Sequence, residues 1–249
     1  MEAQQSEWQT GKLAKTFLEG VRGAIPGTDL QLSVIRHIVQ LWCSNPATIL
    51  DLGCGNGILG RFLLDQFPSA RALFADFSEP MLAAARDNLR DVPQAAFAKA
   101  DFSVPRWVEV VQAYGPFDIV ISGLAIHHQP NERKRSLYVE IFDLLRPGGV
   151  FLNSEHVAAA TKATGQLFEE LSIDYLYRFH GRSDPNATRE DIANTYYRRP
   201  DKTENILTSV ELQCQWLREI GYADVDCFFK LFELTLFGGR KSVVTERED

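Results

Sequence analysis

A glycine-rich turn after a short apolar segment is the feature that most constrains the fold of this chain. Residues 49–52 are apolar apart from Asp51, and Gly-Cys-Gly-Asn-Gly-Ile-Leu-Gly follows from Gly53 to Gly60. The apolar run predicts a buried parallel strand, and the glycines predict a tight turn into a helix over residues 58–67. Because glycine tolerates positive φ and lets a ligand approach the backbone, we expect a cofactor site here.

Two classes of cofactor fit such a turn, and charge distinguishes them. Gly55, Gly57 and Gly60 match the G-x-G-x-x-G pattern of dinucleotide-binding proteins. In that pattern the first glycine closes the strand, whereas here the strand closes with Asp51 and Gly53. The Asp51 carboxylate would repel a pyrophosphate and attract an ammonium or sulfonium group. The sequence therefore favours a cationic cofactor, and a nicotinamide cofactor or a structural turn are the alternatives.

Two further predicted strands also end at acidic residues. Residues 71–75 lead to Asp76, about 20 residues beyond the glycine turn, where a carboxylate can hold a ribose diol by charge-assisted hydrogen bonds. Residues 95–100 lead to Asp101. Since parallel strands present their carboxyl ends at one edge, we expect Asp51, Asp76 and Asp101 around one ligand. An ordinary cap is the alternative role for Asp76.

The pattern D-x-G-x-G-x-G resembles the first motif of class I S-adenosylmethionine (SAM) dependent methyltransferases. The resemblance continues in F-D-I-V-I-S at 117–122 and L-R-P-G-G at 145–149, and covers roughly residues 45–240. It implies an α/β, Rossmann-like, seven-stranded mixed sheet of strand order 3-2-1-4-5-7-6 with helices on both faces. N-terminal helices would precede this sheet, and a helical lid would follow strand 5. It also implies SAM as cofactor and S-adenosylhomocysteine as product.

This resemblance assigns cofactor contacts to individual residues. Asp76 would bind the ribose, Phe77 would lie against adenine, and Asp101 would accept a hydrogen bond from the adenine amino group. Backbone carbonyls near Ser122 and Gly123 would face the methionine ammonium. The complete expected cofactor set is Asp51, Gly53, Cys54, Gly55, Gly57, Asp76, Phe77, Met81, Asp101, Phe102, Ser122 and Gly123.

Two adjacent histidines follow the fourth predicted strand, beside the expected position of the reacting methyl group. His127 or His128 could take the proton of an attacking hydroxyl or amine. We expect this segment to be extended, so that the two side chains point to opposite sides and at most one reaches the acceptor. Methyl transfer can also rest on placement alone, which leaves structural roles open. The D-P-P-Y or N-P-P-Y signature of exocyclic base-amine methylation is missing.

The long segment after the fifth predicted strand is the expected substrate region. In the resembled family, insertions at this point lie over the methyl end of the cofactor. Arginines suit carboxylate or phosphate recognition, and tyrosines supply rigid walls with a hydroxyl. A solvated lid without substrate contacts is the alternative. The candidate substrate residues are Glu155, His156, Tyr196, Tyr197, Arg198 and Arg199.

The lid and its flanking segments are also similar to the carboxy-SAM synthases of tRNA wobble-uridine modification, which build a modified SAM from prephenate. I-P-G at 25–27, S-E-H at 154–156 and E-N-I-L-T-S-V-E at 204–211 carry this likeness. Arg198 and Arg199 lie near the position of the carboxylate-binding arginine of that family, with different spacing. Carboxy-SAM synthesis is therefore an alternative activity, and a non-catalytic SAM-binding module is another.

Composition limits the partners. The chain has 249 residues with 26 basic and 33 acidic side chains, a net charge of −7 and no block of like charges, so nucleic acid is an unfavourable partner. No apolar run approaches the roughly 20 residues of a membrane span. The N-terminus lacks a signal pattern and the four cysteines show no C-x-x-C spacing, which predicts a cytoplasmic protein without a metal site. We expect a small-molecule acceptor and allow for a homodimer.

Four regions follow from these assignments. Residues 1–45 would form a helical lead-in, in which Trp8 and Phe17 could touch a ligand. Residues 46–155 would form the SAM-binding core, residues 156–208 the lid, and residues 209–249 the last helix and a C-terminal hairpin.

Overall fold

The computed structural model describes residues 26–182, 184, 186–198, 202 and 204–243. The predicted ligand contacts of Trp8 and Phe17, and the predicted substrate contact of Arg199, lie outside these described residues.

A single mixed sheet forms the centre of the described chain. Its order, β3-β2-β1-β4-β5-β7-β6, confirms the predicted order. Strands β1 to β5 run parallel, and β7 pairs antiparallel with β5 and β6. The strands are β1 Thr48–Leu52, β2 Arg71–Asp76, β3 Ala95–Lys99, β4 Phe117–Gly123, β5 Leu145–His156, β6 Tyr222–Leu231 and β7 Leu234–Lys241.

Helices connect the strands and fill the insertion after β5. They are α1 Thr28–Trp42, α2 Ile58–Gln66, α3 Glu79–Asn88, α4 Trp107–Val111, α5 Asn131–Leu144, α6 Lys162–His180, α7 Arg189–Ile192 and α8 Val210–Ile220. A π-helical turn, Ala193–Tyr197, continues α7, and a 3-10 turn, Ile126–His128, follows β4. None of the helices in the described ranges is both long enough and apolar enough to span a membrane.

The alternation of side chains along the strands places helices on both faces. In β1, Ile49 packs into the apolar cluster that also contains residues of α1, α2 and α3. Leu50 and Leu52 point to the opposite cluster, with residues of α4, α5 and α8. A strand covered on both faces must be apolar throughout, which explains the apolar run in the sequence. The acid within this run, Asp51, is therefore the residue whose burial needs an explanation.

The helical insertion after β5 confirms the predicted position of the lid. Its two ends are joined, because the N–H of Ala158 donates to the carbonyl oxygen of Thr208 over 3.1 Å. The N–H of Val157 donates to the carbonyl of Glu233 in the turn between β6 and β7, over 2.8 Å. The inserted helices thus leave the sheet and return to it at one place, beside the carboxyl end of β5.

Candidate active site

The glycine turn after β1 has the expected backbone geometry. Gly53, Gly55 and Gly57 have φ values of 66°, 54° and 80°. A Cβ atom on Gly53 would lie 2.4 Å from the Cβ of Ala125, and one on Gly57 would lie 2.7 Å from a methyl carbon of Leu89. Both the left-handed backbone and the tight packing therefore require glycine at these two positions.

Asp51 holds the start of α2 from inside the protein. Its side chain is 1% exposed, and its Oδ2 accepts a hydrogen bond of 2.8 Å from the N–H of Gly60. Gly60 lies in the first turn of α2, where backbone N–H groups have no partner within the helix. The carboxylate thus caps the helix that the turn opens. The sequence suggested that Asp51 attracts a cationic ligand. This attraction would have to act across the glycine turn, since almost none of the Asp51 side chain is exposed.

Asp76 lies at the carboxyl end of β2 against the glycine turn. Its Oδ2 accepts a hydrogen bond of 2.9 Å from the N–H of Gly55, and its Oδ1 accepts one of 2.8 Å from the N–H of Ser78. Burial raises the pKa of Asp76, and the hydrogen bonds from the backbone of Ser78, Gly55 and Phe77 counteract this effect. Each carboxylate oxygen has a second lone pair, so the same group can still accept hydrogen bonds from a diol.

A half-buried ion pair supports the loop that follows β3. Asp101 is exposed and accepts from the N–H of Ser103, whereas Phe102 is buried. The carbonyl oxygen of Phe102 accepts a hydrogen bond of 2.7 Å from Nε of Arg133. Both terminal nitrogens of Arg133 bind Glu140, over 2.7 and 2.6 Å. This bidentate pair fixes the loop in which the adenine contacts are expected.

The remaining expected cofactor residues differ in exposure. Phe77 and Gly123 are half-buried, whereas Cys54, Met81 and Ser122 are buried. The hydroxyl of Ser122 donates to the carbonyl of Leu52 over 2.8 Å. Its side chain is thus used to join β4 to β1.

The prediction that the two histidines lie on an extended segment is wrong. Residues 126–128 form a 3-10 turn, and the rings of His127 and His128 lie on the same side, with centroids 4.0 Å apart. The ring of His156 packs edge-on against His127, with centroids 5.9 Å apart. The tight turn brings the adjacent side chains together, where a strand would have separated them.

Glu155 is the buried partner of His127. Its Oε1 lies 2.6 Å from Nδ1 of His127 and accepts from the N–H of His156 over 2.8 Å, and its Oε2 accepts from the N–H of His127 over 3.0 Å. Burial works to raise the pKa of Glu155, but attraction to His127 and these hydrogen bonds outweigh burial and lower the pKa. Glu155 therefore orients His127 from a buried position, and its predicted contact with substrate stays a prediction.

His156 lies at the edge of this cluster as a neutral side chain. Burial lowers its pKa well below the usual value, and electrostatic interactions with His127, Lys202 and His128 act in the same direction. A neutral imidazole can both donate and accept a hydrogen bond. His156 can thus contact a polar substrate without adding charge.

Two of the candidate substrate residues, Arg198 and Tyr196, make contacts within the lid. The guanidinium of Arg198 binds Glu169 and Glu190, each over 2.9 Å, on the exposed side of the lid. This commits Arg198 to holding α6 to the turn after α7. Tyr196 stacks on the ring of His180, with centroids 3.7 Å apart.

Tyr197 is half-buried and forms a contact that the sequence did not predict. The Nζ of Lys202 lies 3.2 Å from the centroid of its ring. Burial raises the pKa of Tyr197, as does the nearby carboxylate of Glu233. The charge of Lys202 also contributes to the lowered pKa of His156.

Lys134 is the functional candidate that the sequence could have revealed. It precedes Leu137, Tyr138 and Ile141 at helical spacing and so lies on the apolar face of α5. A lysine in that row is a signal of a buried charge. Glu155 and Lys202 gave no such signal, because their partners are distant in sequence. Among the described residues, no group of three or more His, Cys, Asp or Glu side chains could hold a metal ion.

Comparison with known proteins identifies the central part of the chain. Residues 49–149 match a family model described as a methyltransferase domain. Trans-aconitate 2-methyltransferase of Acidovorax sp. (strain JS42) is 28% identical over 194 residues, which cover 71% of this chain and 68% of that protein. Malonyl-[acyl-carrier protein] O-methyltransferase of Magnetococcus marinus is 39% identical over 122 residues, 47% of this chain and 43% of that protein.

A relative with a different named activity is similar to this chain over a greater length. Carboxy-S-adenosyl-L-methionine synthase of Shewanella piezotolerans is 22% identical over 232 residues, 92% of this chain and 90% of that protein. This similarity includes the lid, as the sequence suggested.

Solved structures share the fold. An O-methyltransferase family protein from Burkholderia thailandensis matches with a TM-score of 0.58 and 17% identity, over 87% of this chain and 59% of that chain. A putative O-methyltransferase from Nostoc punctiforme matches with a TM-score of 0.62 and 14% identity, over 94% of this chain and 60% of that one. The chain thus spans about three fifths of the length of these two proteins.

Proposed function

We propose that this chain, which belongs to the class I SAM-dependent methyltransferases, transfers a methyl group to a small-molecule acceptor that loses a proton, with a hydroxyl compound as the first candidate. The family is supported by the domain match and by the fold. The acceptor class rests on one observation, the buried pair of His127 and Glu155.

The residues at the carboxyl edge of the sheet fit SAM. Asp76 offers lone pairs to a ribose diol, and the glycine turn beside it removes Cβ atoms from the path of a ligand. Asp101 is exposed beside the buried Phe102, as an adenine contact requires. When bound, SAM supplies an electrophilic methyl group and leaves as S-adenosylhomocysteine.

The pair of His127 and Glu155 supplies a base. Because an ionised Glu155 can only accept hydrogen bonds, the proton between the two groups belongs to Nδ1 of His127. This tautomer leaves the lone pair on Nε2, which can take the proton from an acceptor hydroxyl. The acceptor oxygen then forms a bond to the methyl carbon as the bond between that carbon and the sulfur of SAM breaks. Glu155 stays ionised and stabilises the imidazolium that results.

Orientation supplies the remaining part of the rate enhancement. Methyl transfer needs the acceptor held in line with the bond that breaks, and this placement can lower the barrier by several kcal/mol. Tyr197, Lys202 and His156 are proposed to hold the acceptor, because His156 packs against the ring of His127 and the ammonium of Lys202 lies over the ring of Tyr197. His128 is the alternative base, but Glu155 is hydrogen-bonded to the ring of His127.

The experiment measures binding first and turnover second. Calorimetry with SAM, S-adenosylhomocysteine and NADH should give micromolar binding for the first two ligands alone. Radiolabelled SAM is then offered with phenols and hydroxy acids, and with trans-aconitate, whose carboxylates are already ionised and need no base. Transfer to hydroxyl compounds that is lost in His127→Gln supports the proposal. Transfer to carboxylates that is unchanged in His127→Gln contradicts the proposed acceptor class.

Carboxy-SAM synthesis is the second candidate, because the similarity to such a synthase spans 92% of this chain. Its test is to incubate the protein with SAM and prephenate and to analyse the cofactor by mass spectrometry. A carboxylated SAM product would favour carboxy-SAM synthesis. Recovery of unmodified SAM alone would leave methyl transfer as the proposed activity. A non-catalytic SAM-binding module would bind SAM and give no product in either assay.

A further inference from the structure

Lys134 is a buried lysine that the proposed mechanism does not use. It lies in the first half of α5 and is 1% exposed, on the same helix face as the buried residues Leu137 and Ile141. Burying an ammonium costs free energy unless its N–H groups find acceptors. The acceptors that Lys134 binds therefore indicate what it does.

Lys134 binds the segment by which the lid returns to the sheet, residues 206–208, which we call the return segment. Nζ of Lys134 donates to the carbonyl oxygen of Ile206, and to the hydroxyl of Thr208 over 2.9 Å. The Thr208 hydroxyl in turn donates to Oδ1 of Asn131 over 2.5 Å. Since Lys134 and Asn131 both belong to α5, one helix holds the return segment through two side chains.

The return segment also holds the turn that carries the proposed base. The N–H of Ile206 donates to the carbonyl oxygen of His127 over 2.9 Å, and the N–H of His127 donates to Oε2 of Glu155 over 3.0 Å. Both backbone groups of His127 are therefore bound, one by the return segment and one by β5. A chain of hydrogen bonds thus runs from the ammonium of Lys134 through Ile206 to the backbone of His127.

The return segment is attached at the start of the lid as well. The carbonyl oxygen of Thr208 accepts from the N–H of Ala158, and from Nε2 of Gln213 in α8, each over 3.1 Å. Ala158 follows the end of β5 by two residues. Because the same three residues bond to the lid and to His127, a shift of the return segment would be transmitted to the backbone of His127.

We propose that Lys134 is a positioning residue: it fixes the return segment and, through the N–H of Ile206, holds the backbone of His127 so that the imidazole meets the acceptor in one position. The role of His127 as the base rests on the proposed function. The chain of contacts from Lys134 to His127 does not, because each link in it is a hydrogen bond of the structure.

The physical reason is that proton transfer tolerates little displacement. A general base must lie within about 2.6–3.2 Å of the group whose proton it takes, and a misplacement of about 1 Å can reduce the rate about 100-fold. The 3-10 turn is three residues long, and the N–H of Gln129 closes it on the carbonyl of Ile126 over 3.0 Å. So short a turn takes its position from its neighbours. Without Lys134, the turn would keep Glu155 and lose a fixed partner at the carbonyl of His127.

The first test follows the return segment in the full chain, without an acceptor. Amide hydrogen exchange of isotope-labelled protein is measured by NMR for the wild type and for Lys134→Met. We expect the Ile206 amide to exchange at least about tenfold faster in Lys134→Met, because local opening of the return segment becomes easier. Arg135→Met is the matched control, since it removes the next cation of α5, which pairs with Glu219. Exchange at Ile206 in this control should equal that of the wild type.

The second test separates positioning from a structural role. It uses an acceptor found in the turnover assay above and expresses kcat per SAM-binding site counted by calorimetry, so that unfolded protein does not affect the rate. We expect kcat to fall about tenfold to 100-fold in Lys134→Met, while KM for SAM stays within about threefold of the wild type. Lys134→Gln should restore part of the rate, because its amide can still donate to the carbonyl of Ile206.

Three results would overturn the proposal. Unchanged exchange at Ile206 in Lys134→Met would mean that Lys134 does not hold the return segment. Equal acceleration at Ile121, in the centre of β4, would mean that Lys134 stabilises the whole fold. Faster exchange at Ile206 with an unchanged kcat would mean that the return segment does not position the base.

Two further cases are covered by the same design. If Lys134→Met does not fold, Lys134→Gln replaces it in both tests, with the same directions of change expected relative to the wild type. If the wild type transfers no methyl group to any acceptor, the proposed function fails. The exchange of Ile206 then decides by itself whether Lys134 holds the segment that binds His127.

Discussion

Nδ1 of His127 lies 2.6 Å from Oε1 of Glu155, and both side chains are buried. The carboxylate also accepts the backbone N–H of His127, so it fixes the residue at two points. This geometry holds the ring in one tautomer and directs its other nitrogen away from Glu155. The predictions below begin from this pair.

Glu155→Gln should slow turnover by about 100-fold to 1,000-fold, because the amide cannot stabilise an imidazolium as a carboxylate does. SAM binding should stay within about threefold of the wild type, since the pair lies outside the expected ribose and adenine contacts. Single-turnover kinetics and calorimetry measure the two effects. His128→Ala is the matched control and should have the smaller effect on rate. Full turnover in Glu155→Gln would exclude the pair as the base.

Asp76→Ala should weaken SAM binding by more than about 100-fold, or roughly 3 kcal/mol, because two charge-assisted hydrogen bonds to the ribose are lost. The N–H groups of Gly55 and Ser78 would also lose their partner, so a lower Tm is expected. Calorimetry with SAM and thermal unfolding measure these effects. Asp87→Ala, which removes an exposed acid paired with Arg90, is the control and should change neither. Wild-type affinity in Asp76→Ala would contradict the ribose assignment.

Arg133→Met should weaken SAM binding by about tenfold, because the carbonyl of Phe102 loses its donor and the carboxylate of Glu140 loses its guanidinium partner. Since the loop carries the expected adenine contacts, the affinity of the protein for adenosine should fall by the same factor. Competition calorimetry with SAM and with adenosine tests this. Arg135→Met, which removes an exposed arginine paired with Glu219, is the control. If the affinity for SAM fell and the affinity for adenosine did not, the prediction that this loop contacts adenine would be contradicted.

Arg198→Ala should change kcat/KM by less than about threefold, because exposed ion pairs such as those with Glu169 and Glu190 each contribute below about 1 kcal/mol. Lys202→Met should raise KM by about tenfold or more for an anionic acceptor, since its ammonium lies over the ring of Tyr197, a proposed acceptor contact. Steady-state kinetics with one acceptor compare the two variants. A larger effect of Arg198→Ala would restore the sequence-based prediction that this arginine binds substrate.

The stability of Lys134→Met relative to the wild type should depend on pH in a defined window. The folded pKa of Lys134 is about 8, below the reference value of 10.5, so between these values the unfolded chain binds more protons. Wild-type stability therefore gains from this group as the pH rises from 8 to 10.5, by at most about 3 kcal/mol. The variant lacks this gain. Urea unfolding of both proteins at pH 7.5 and pH 10 measures the difference, and a constant difference would contradict the shift.

The ends of the strands followed from local sequence patterns, and the order of the sheet followed from the resemblance to the methyltransferase family. The apolar run of β1, the glycines after it and the acids Asp76 and Asp101 are local patterns, and each reflects a constraint within a few residues. Helix α8 also begins after Ser209 and ends before Gly221 as these residues require, because capping depends on neighbouring backbone groups.

The chemistry beside the expected methyl group was decided by the tertiary structure. The 3-10 turn that stacks His127 on His128 is stabilised by the backbone of Ile206, which is distant in sequence. Glu155 meets His127 because β5 lies next to β4, and Lys134 binds Ile206 and Thr208, which are distant in sequence. Whether a histidine acts as a base depends on the charges buried around it, and burial is a property of the folded chain. The sequence by itself determined where a cofactor would lie, and only the tertiary structure decided which side chains surround the acceptor.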